Sequence, residues 1–264
     1  VTMPVLALRG LTIFPNMLLH FDVGRVSSIK ALDEAMSSGQ PIFLVAQRDL
    51  SIENPQREDL YDIGTISNVR QILRLPGDNV RVMVEGTARG RLLELVQTSP
   101  FLSAEVEEIG TDAPVHSSPR TEALMRRTYE LFESYIELAP KMTPDVLLSV
   151  LASEDPGYIA DYIAQNLPMR TGDKQVILEE LRPVRRLEKL FRQLRQELEV
   201  LELELDMQNR VREGLNRNQR DYYLREQLKV IQQELGEGEE NAESEIAEYR
   251  RTIQNTKLPE EVSK

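Results

Sequence analysis

The sequence predicts an α+β protein: a β-rich amino-terminal domain followed by an all-helical bundle that ends in a very long helical arm. Three observations carry that class. From Pro4 to Ile109 the chain consists mainly of short β-branched runs bounded by turn residues. After the stretch GTDAPVHSSP, Gly110 to Pro119, the apolar spacing becomes helical. From Val184 to Leu235 nothing interrupts a helical signal except Gly214. At ~1.5 Å rise per residue that arm is a rod of roughly 80 Å. A rod longer than a globular domain needs reads as mechanical connection or presentation. The resulting division is 1–110 for the β domain, 111–119 for a linker, 120–182 for the bundle, 183–235 for the coiled-coil-like helix and 236–264 for an acidic linker with a short helix.

In chain order, the segments Leu18–Val23, Ile42–Gln47, Gly64–Leu75, Val80–Gly86, Arg91–Val96 and Leu102–Ile109 have the length, flanks and β-branched content of strands. Ser27 and Ser28 offer hydroxyls to cap a helix through about Met36 that Gly39 ends. Arg48 to Asp62 is a polar loop containing Pro55. Beyond the linker, Leu124, Tyr129, Leu131, Phe132, Tyr135 and Leu138 mark a helix that stops before Pro140. Thr143 before Pro144, and Asp155 before Pro156, each put a capping oxygen next to a proline at the first helical position. They start helices over Pro144–Ala152 and Pro156–Asn166, and another spans Gly172–Leu181 before Pro183 opens the arm.

On the arm, Leu187, Leu190, Leu194, Leu198, Leu201 and Leu205 step by three and four, as do Leu224, Leu228, Ile231 and Leu235 farther along. The proximal seam packs either on the chain's own bundle or on another chain. The distal seam outruns the bundle, so Leu205, Leu224, Leu228, Ile231 and Leu235 are expected to meet a partner. Tyr222, Tyr223 and Leu224 are adjacent and cannot all face one way, which leaves at least one tyrosine free for contact. Gly214 costs about 1 kcal/mol inside a helix and marks a place to flex.

Composition narrows the function classes. Lys and Arg total 32 against 44 Asp and Glu, a net charge of -12, which disfavours nucleic acid as a partner. Two local basic stretches, Arg185, Arg186, Lys189, Arg192, Arg195 and then Arg210, Arg212, Arg217, Arg220, Arg225, are interleaved with acids and read as a solvated or interprotomer face. No apolar run approaches the ~18 residues that a membrane span needs. Arg9 interrupts the opening apolar stretch, which makes a poor signal peptide, and the reading is cytoplasmic. Val1 in place of an initiator methionine points to a piece of a longer chain.

Catalytic chemistry is not written here. There is no cysteine and there are two histidines, His20 and His116, too few for a zinc site built on histidines. A phosphate-cradling loop needs a Gly-Lys step, and the sequence has none. Binding chemistry remains. In the hairpin LRLPGDNVRVMVE, a four-residue turn Pro76–Asn79 sets Leu75 against Val80, Leu73 against Val82 and Ile72 against Met83. Alternation then turns Ile72 and Met83 outward among Arg70, Arg74, Arg81 and Glu85. Two readings of that pair stay open: cover by another strand or helix, or an exposed apolar patch that captures unfolded segments. Phe14, Pro15 and Met17 form a second candidate patch, unless they fold back as a plug.

Four blocks carry a resemblance to a known family: PVLALRGLTIFPNMLLHFDVGR from Pro4, PIFLVAQRD from Pro41, LPGDNVRVMVEG from Leu75 and RDYYLREQLKVIQQELG from Arg220. In this order they resemble the amino-terminal region of bacterial Lon-type ATP-dependent proteases. The resemblance implies a PUA-like β-barrel fold for the first domain, capture of unfolded or damaged proteins as substrates, and a homo-oligomer: a hexamer for the whole protein, with a dimer open for this piece. It also implies that the ATPase module, with its ATP and magnesium, and the peptidase with its serine–lysine dyad lie downstream, leaving no cofactor, metal or catalytic residue in this stretch. Two rivals belong to other classes: a free-standing adaptor or scaffold that binds a folded partner and dimerises through the arm, and an RNA-binding module of PUA-like fold, which the acidic balance opposes.

Overall fold

Two apolar runs have no polar face, and that puts them at the centre of the sheet. In the computed structural model, which describes residues 1–76, 79–110, 118–139, 142, 145–234 and 245–252, these runs are β1 (Thr2–Leu8) and β3 (Ile42–Ala46), paired in parallel. Leu6, Leu8, Ile42 and Leu44 enter one cluster, while Val5, Ala7, Phe43 and Val45 enter another on the opposite face. Burial on both faces is what an uninterrupted run of Val, Leu, Ile and Phe encodes.

Around this pair lie β2 (Leu18–Val23), β4 (Ile63–Arg74), β5 (Val80–Gln97) and β6 (Ser103–Ile109), in the order β2-β5-β4-β3-β1-β6. Because β6 also pairs with β5, the sheet closes on itself. The sequence suggests separate strands at Val80–Gly86 and Arg91–Val96; they are one strand. Gly86 and Gly90 serve close approach rather than termination. A Cβ at Gly86 would stand 2.4 Å from the Phe14 carbonyl oxygen, and one at Gly90 would stand 2.7 Å from Val106.

Helix α1 (Val26–Ser38) closes on Gly39 at φ 65°, yet neither Ser27 nor Ser28 caps it. The N-cap position is Arg25, which leaves both serines inside the first turn. A short 3-10 turn, Arg57–Asp59, breaks the polar loop after β3. The helical elements follow as α2 (Pro119–Leu138), α3 (Asp145–Leu151), α4 (Pro156–Asn166), α5 (Thr171–Leu178) and α6 (Pro183–Glu234). Ser118 caps α2 by accepting from the Thr121 N–H, and Asp155 caps α4 by accepting from Gly157. Helix α5 ends at Leu178, short of the expected Leu181, for a reason given below. Thr143 and Pro144, most of the 111–119 linker, and the acidic stretch after α6 lie outside the described residues.

The contacts divide the chain into a unit Val1–Glu202 and a unit Leu203–Lys264. In the first, Leu187, Leu190 and Leu194 of α6 are fully buried among Phe132, Tyr135, Ile159, Ile163 and Ile177, with Leu198 and Leu201 at the margin. The proximal seam therefore packs on the chain's own bundle. Phe14, Met17 and Ile63 belong to the same cluster, so sheet and bundle share a core. In the second unit, α6 passes through Gly214 without interruption, and a further helix covers residues 245–252.

A buried ionic cluster ties these parts together. Asp161 of α4 accepts from both guanidinium nitrogens of Arg89 on β5, at 2.9 and 2.7 Å, and from Arg186 Nη1 on α6 at 3.0 Å. Their side chains are 4%, 8% and 7% exposed. Two cations against one carboxylate leave a positive charge in a desolvated place. The end of α5 answers it: Leu178 and the next turn's Glu180 and Leu181 turn their carbonyls to Arg89 Nε, Arg186 Nε and Arg186 Nη2 at 2.9, 2.8 and 3.1 Å. A helix carboxyl end carries partial negative charge, so the early stop of α5 supplies the missing counter-charge. Burial still holds the Arg186 guanidinium below its ordinary value, with Asp161 pulling the other way.

Replacing Asp161 by Asn should destabilise the protein by roughly 3 to 5 kcal/mol, because two buried guanidiniums would face an amide. Chemical denaturation at fixed pH reads this. A combined apolar replacement of Arg89, Asp161 and Arg186 should cost less than the single change.

Candidate functional site

The outward face of β2, β5 and β4 is the first candidate, and its register differs from the one expected. The pairs are Arg74 with Val80, Leu73 with Arg81, Ile72 with Val82 and Gln71 with Met83. Pairing on β4 ends one residue earlier than assumed, at Arg74 with Val80, and the Leu75 N–H donates to the Asn79 carbonyl at 2.8 Å. A one-residue slip exchanges the faces of a strand. Ile72 consequently lies on the core side, half-buried beside Val82 and Val84, and Leu73 takes the outward place at 52% exposure.

Met83 keeps its outward position, half-buried, with His20 opposite on β2 and Gln71 opposite on β4. Leu18, 61% exposed, faces Glu85 across β2 and β5. Leu18, Met83 and Leu73 thus form a diagonal apolar line across the face. Ion pairs flank it: Arg81 with Asp22 at 2.6 Å, and Arg70 with Glu85. Hydrogen bonding from Arg81 holds the Asp22 carboxyl below its usual range and raises Arg81 in turn. These ions neutralise one another, leaving the apolar line, with His20 and Gln71 beside Met83, open on the face.

The second candidate does not survive as a surface. Phe14 is fully buried, Pro15 is buried and Met17 is 6% exposed. They plug the joint between sheet and bundle, and Asn16 between them turns outward at φ 61°. Asn adopts that left-handed conformation more readily than most residues. The N–H of Asn16 donates to Gly86 and the Met17 carbonyl accepts from Gly86, both at 2.9 Å. Next to this plug lies a cleft of about 630 Å³ lined by Pro15, Asn16, Ile109, Tyr158 and Pro183, with Arg89, Asp161 and Arg186 among its walls. The hydrogen-bonding groups of these three ions are committed to one another and to carbonyls, so they serve the joint. Among the described residues, no group of three or more His, Cys, Asp or Glu is placed to hold a metal.

The distal arm is the third candidate. Tyr222, Tyr223, Leu224, Leu228 and Ile231 are 69%, 62%, 50%, 57% and 54% exposed, Leu205 is half-buried, and Leu235 lies outside the described residues. Tyr223 accepts from Gln227 at 3.1 Å. The sequence reading missed a second exposed stripe, Leu203, Met207, Val211 and Leu215, spaced by fours. Its mean direction lies roughly 110° around the helix from that of Leu224, Leu228 and Ile231. It also missed the ionic cluster, placing Arg186 on a solvated or interprotomer face when it is 6% exposed. The available signal was Asp161, an acid among Ile159, Ala160, Ile163 and Ala164 on an otherwise apolar helix face.

These placements give opposite expectations for two of the candidates. Phe14→Ala should cost about 3 to 5 kcal/mol of stability, while Met83→Ser should stay within about 0.5 kcal/mol. Urea unfolding of the two variants compares them directly.

The family profile for the ATP-dependent protease La (LON) substrate-binding domain matches residues 2–196. Lon protease of Heliobacterium modesticaldum is 44% identical over 260 residues, covering 98% of this chain and 32% of that protein. Lon protease of Clostridioides difficile is 42% identical over 260 residues, covering 97% of this chain and 33% of that protein. The chain therefore spans about a third of the length of these relatives. Among solved structures, the N-terminal domain of Mycobacterium avium complex Lon protease aligns with a TM-score of 0.60 at 19% identity, over 74% of this chain and 98% of that one. A Lon N-terminal domain protein from Xanthomonas campestris aligns with a TM-score of 0.53 at 16% identity, over 72% and 96%. Those two likenesses are of fold.

Proposed function

The chain belongs to the Lon substrate-binding domain family, and from that premise we propose that it captures unfolded or damaged polypeptides for an ATP-dependent protease and joins its subunits through the arm. The observation that carries capture is the apolar line Leu18, Met83 and Leu73 on a face whose charges are already paired. Ile72 contributes from beneath, as the core-side neighbour of Val82. Phe14, Pro15 and Met17 act by holding the joint behind this face and touch no substrate while the joint is closed.

On this reading the complete protein is a cytoplasmic hexamer. Its own ATPase module uses ATP and magnesium, and its peptidase uses a serine–lysine dyad; both fall outside this sequence. The arm's exposed residues, Tyr222, Tyr223, Leu224, Leu228 and Ile231, together with Leu205 and Leu235, would meet a second chain. No described helix is long and apolar enough to cross a membrane.

Capture is tested by binding of a reduced, carboxymethylated protein to the chain, with the native form of that protein as control. Met83→Glu should weaken binding to the unfolded form at unchanged melting temperature. Unchanged binding would remove Met83 from the site. For assembly, each apolar side chain buried between chains contributes about 1.5 to 3 kcal/mol. Changing Leu224, Leu228 and Ile231 together to serine should therefore lower the weight-average mass in sedimentation. Equal masses at every concentration would remove the arm from self-association.

A further inference from the structure

Among the described residues, the sheet leaves a gap between β1 and β2. Strand β6 covers β1 from Thr2 to Pro4, and the Val5 N–H still donates to the Leu102 carbonyl at 2.8 Å, while β3 occupies the other side of β1 from Val5 to Leu8. The free side of β1 is met there by the Arg25 side chain, whose Nη2 donates to the Ala7 carbonyl. Strand β2 pairs with β5 and stands at the end of the strand order, with no second strand beside it among the described residues. Between these two free edges runs a groove of about 400 Å³, lined by Leu6, Leu8 and Leu11 on one side and Phe21 and Val23 on the other.

An edge strand turns about half of its N–H and C=O groups away from its partner, a ready template for another strand. The six residues of β2 alternate in exposure, so each face beside that edge has its own character. Outward lie Leu18 and, across the pair, Met83; inward lie Phe21 and the groove. The groove also has a charge. Arg9 donates to the Ile52 carbonyl, and Arg25 to Glu53, Gln47 and Ala7 oxygens, but among the described residues neither has a carboxylate in ion-pair range. Asp22, the acid that lines the groove, is held by Arg81. Burial, and after it the neighbouring Arg9, keeps the Arg25 guanidinium below its ordinary value.

We propose that the free edge of β2 binds an extended polypeptide by strand addition, with alternate apolar side chains against Leu18 and Met83 or in the groove beside Phe21, and with a carboxylate of the bound segment opposite Arg9 and Arg25. This rests on the capture reading above and gives it a substrate class: extended, apolar, acid-bearing segments, read through the main chain. Backbone pairing explains tolerance of sequence, and the two arginines fix polarity.

The probe is a short fluorescein-labelled peptide of alternating valine and threonine ending in glutamate, titrated into the full chain and followed by anisotropy. Two versions carry N-methyl groups on alternate residues, in opposite phase. One phase should lose at least about tenfold in affinity and the other little, because one phase loses its donors to β2. Amide exchange of Leu18–Val23 should slow on binding. Arg9→Glu, a change at an exposed side chain, should weaken the glutamate peptide and spare its glutamine counterpart. Equal binding of both methylated phases, or binding without protection of β2, overturns the proposal. If the peptide fails to bind while the carboxymethylated protein still does, strand addition is wrong and capture stands elsewhere. If neither binds, both readings fall.

Discussion

One carboxylate shared by two guanidiniums sets the relation between sheet and bundle. Arg89 comes from the middle of the longest strand, Asp161 from a short buried helix and Arg186 from the first turn of the arm. Each would be costly to bury alone. Together, with the carbonyls at the end of α5, they are satisfied in one geometry, so displacing any of the three elements would strand a charge. The apolar contacts around Phe14 and Phe132 supply cohesion without direction. Direction comes from the ions.

Much of the architecture was legible because it rests on local rules. The proline-led cap at Pro156, the Gly39 stop and the uninterrupted arm need no tertiary information. What escaped needed it. Whether Ser28 caps a helix or sits inside it depended on where the preceding strand released the chain. The register at Met83 is shifted by one residue from the expected one, and Ile72 and Leu73 exchanged faces in consequence. Phe14 looked like a loop aromatic until the bundle arrived to cover it. Arg186 looked like one of a row of basic residues, and only its position beside Asp161 sets it apart.

The β half divides labour by face. Its interior strands are apolar on both sides and carry stability, whereas β2 is buried on one side, exposed on the other and unpaired along an edge. On the proposed capture role, a surface that accepts many sequences does not rely on a shaped pocket, and Leu18, Met83 and Leu73 spread their apolar area thinly between neutralised ion pairs. That thinness also limits nonspecific sticking, since no single exposed patch grows large.

The two stripes on the distal arm point in different directions. A helix with one adhesive side is finished once it has a mate, because the same patch serves both members and twofold symmetry ends the growth. If copies pair through Leu224, Leu228 and Ile231 as proposed, the stripe Leu203, Met207, Val211 and Leu215 on another side leaves each copy a second valence. Copies joined through both must close into a ring or run on as a filament. On that proposal the angle between the stripes would help decide how many subunits return the chain of contacts to its start.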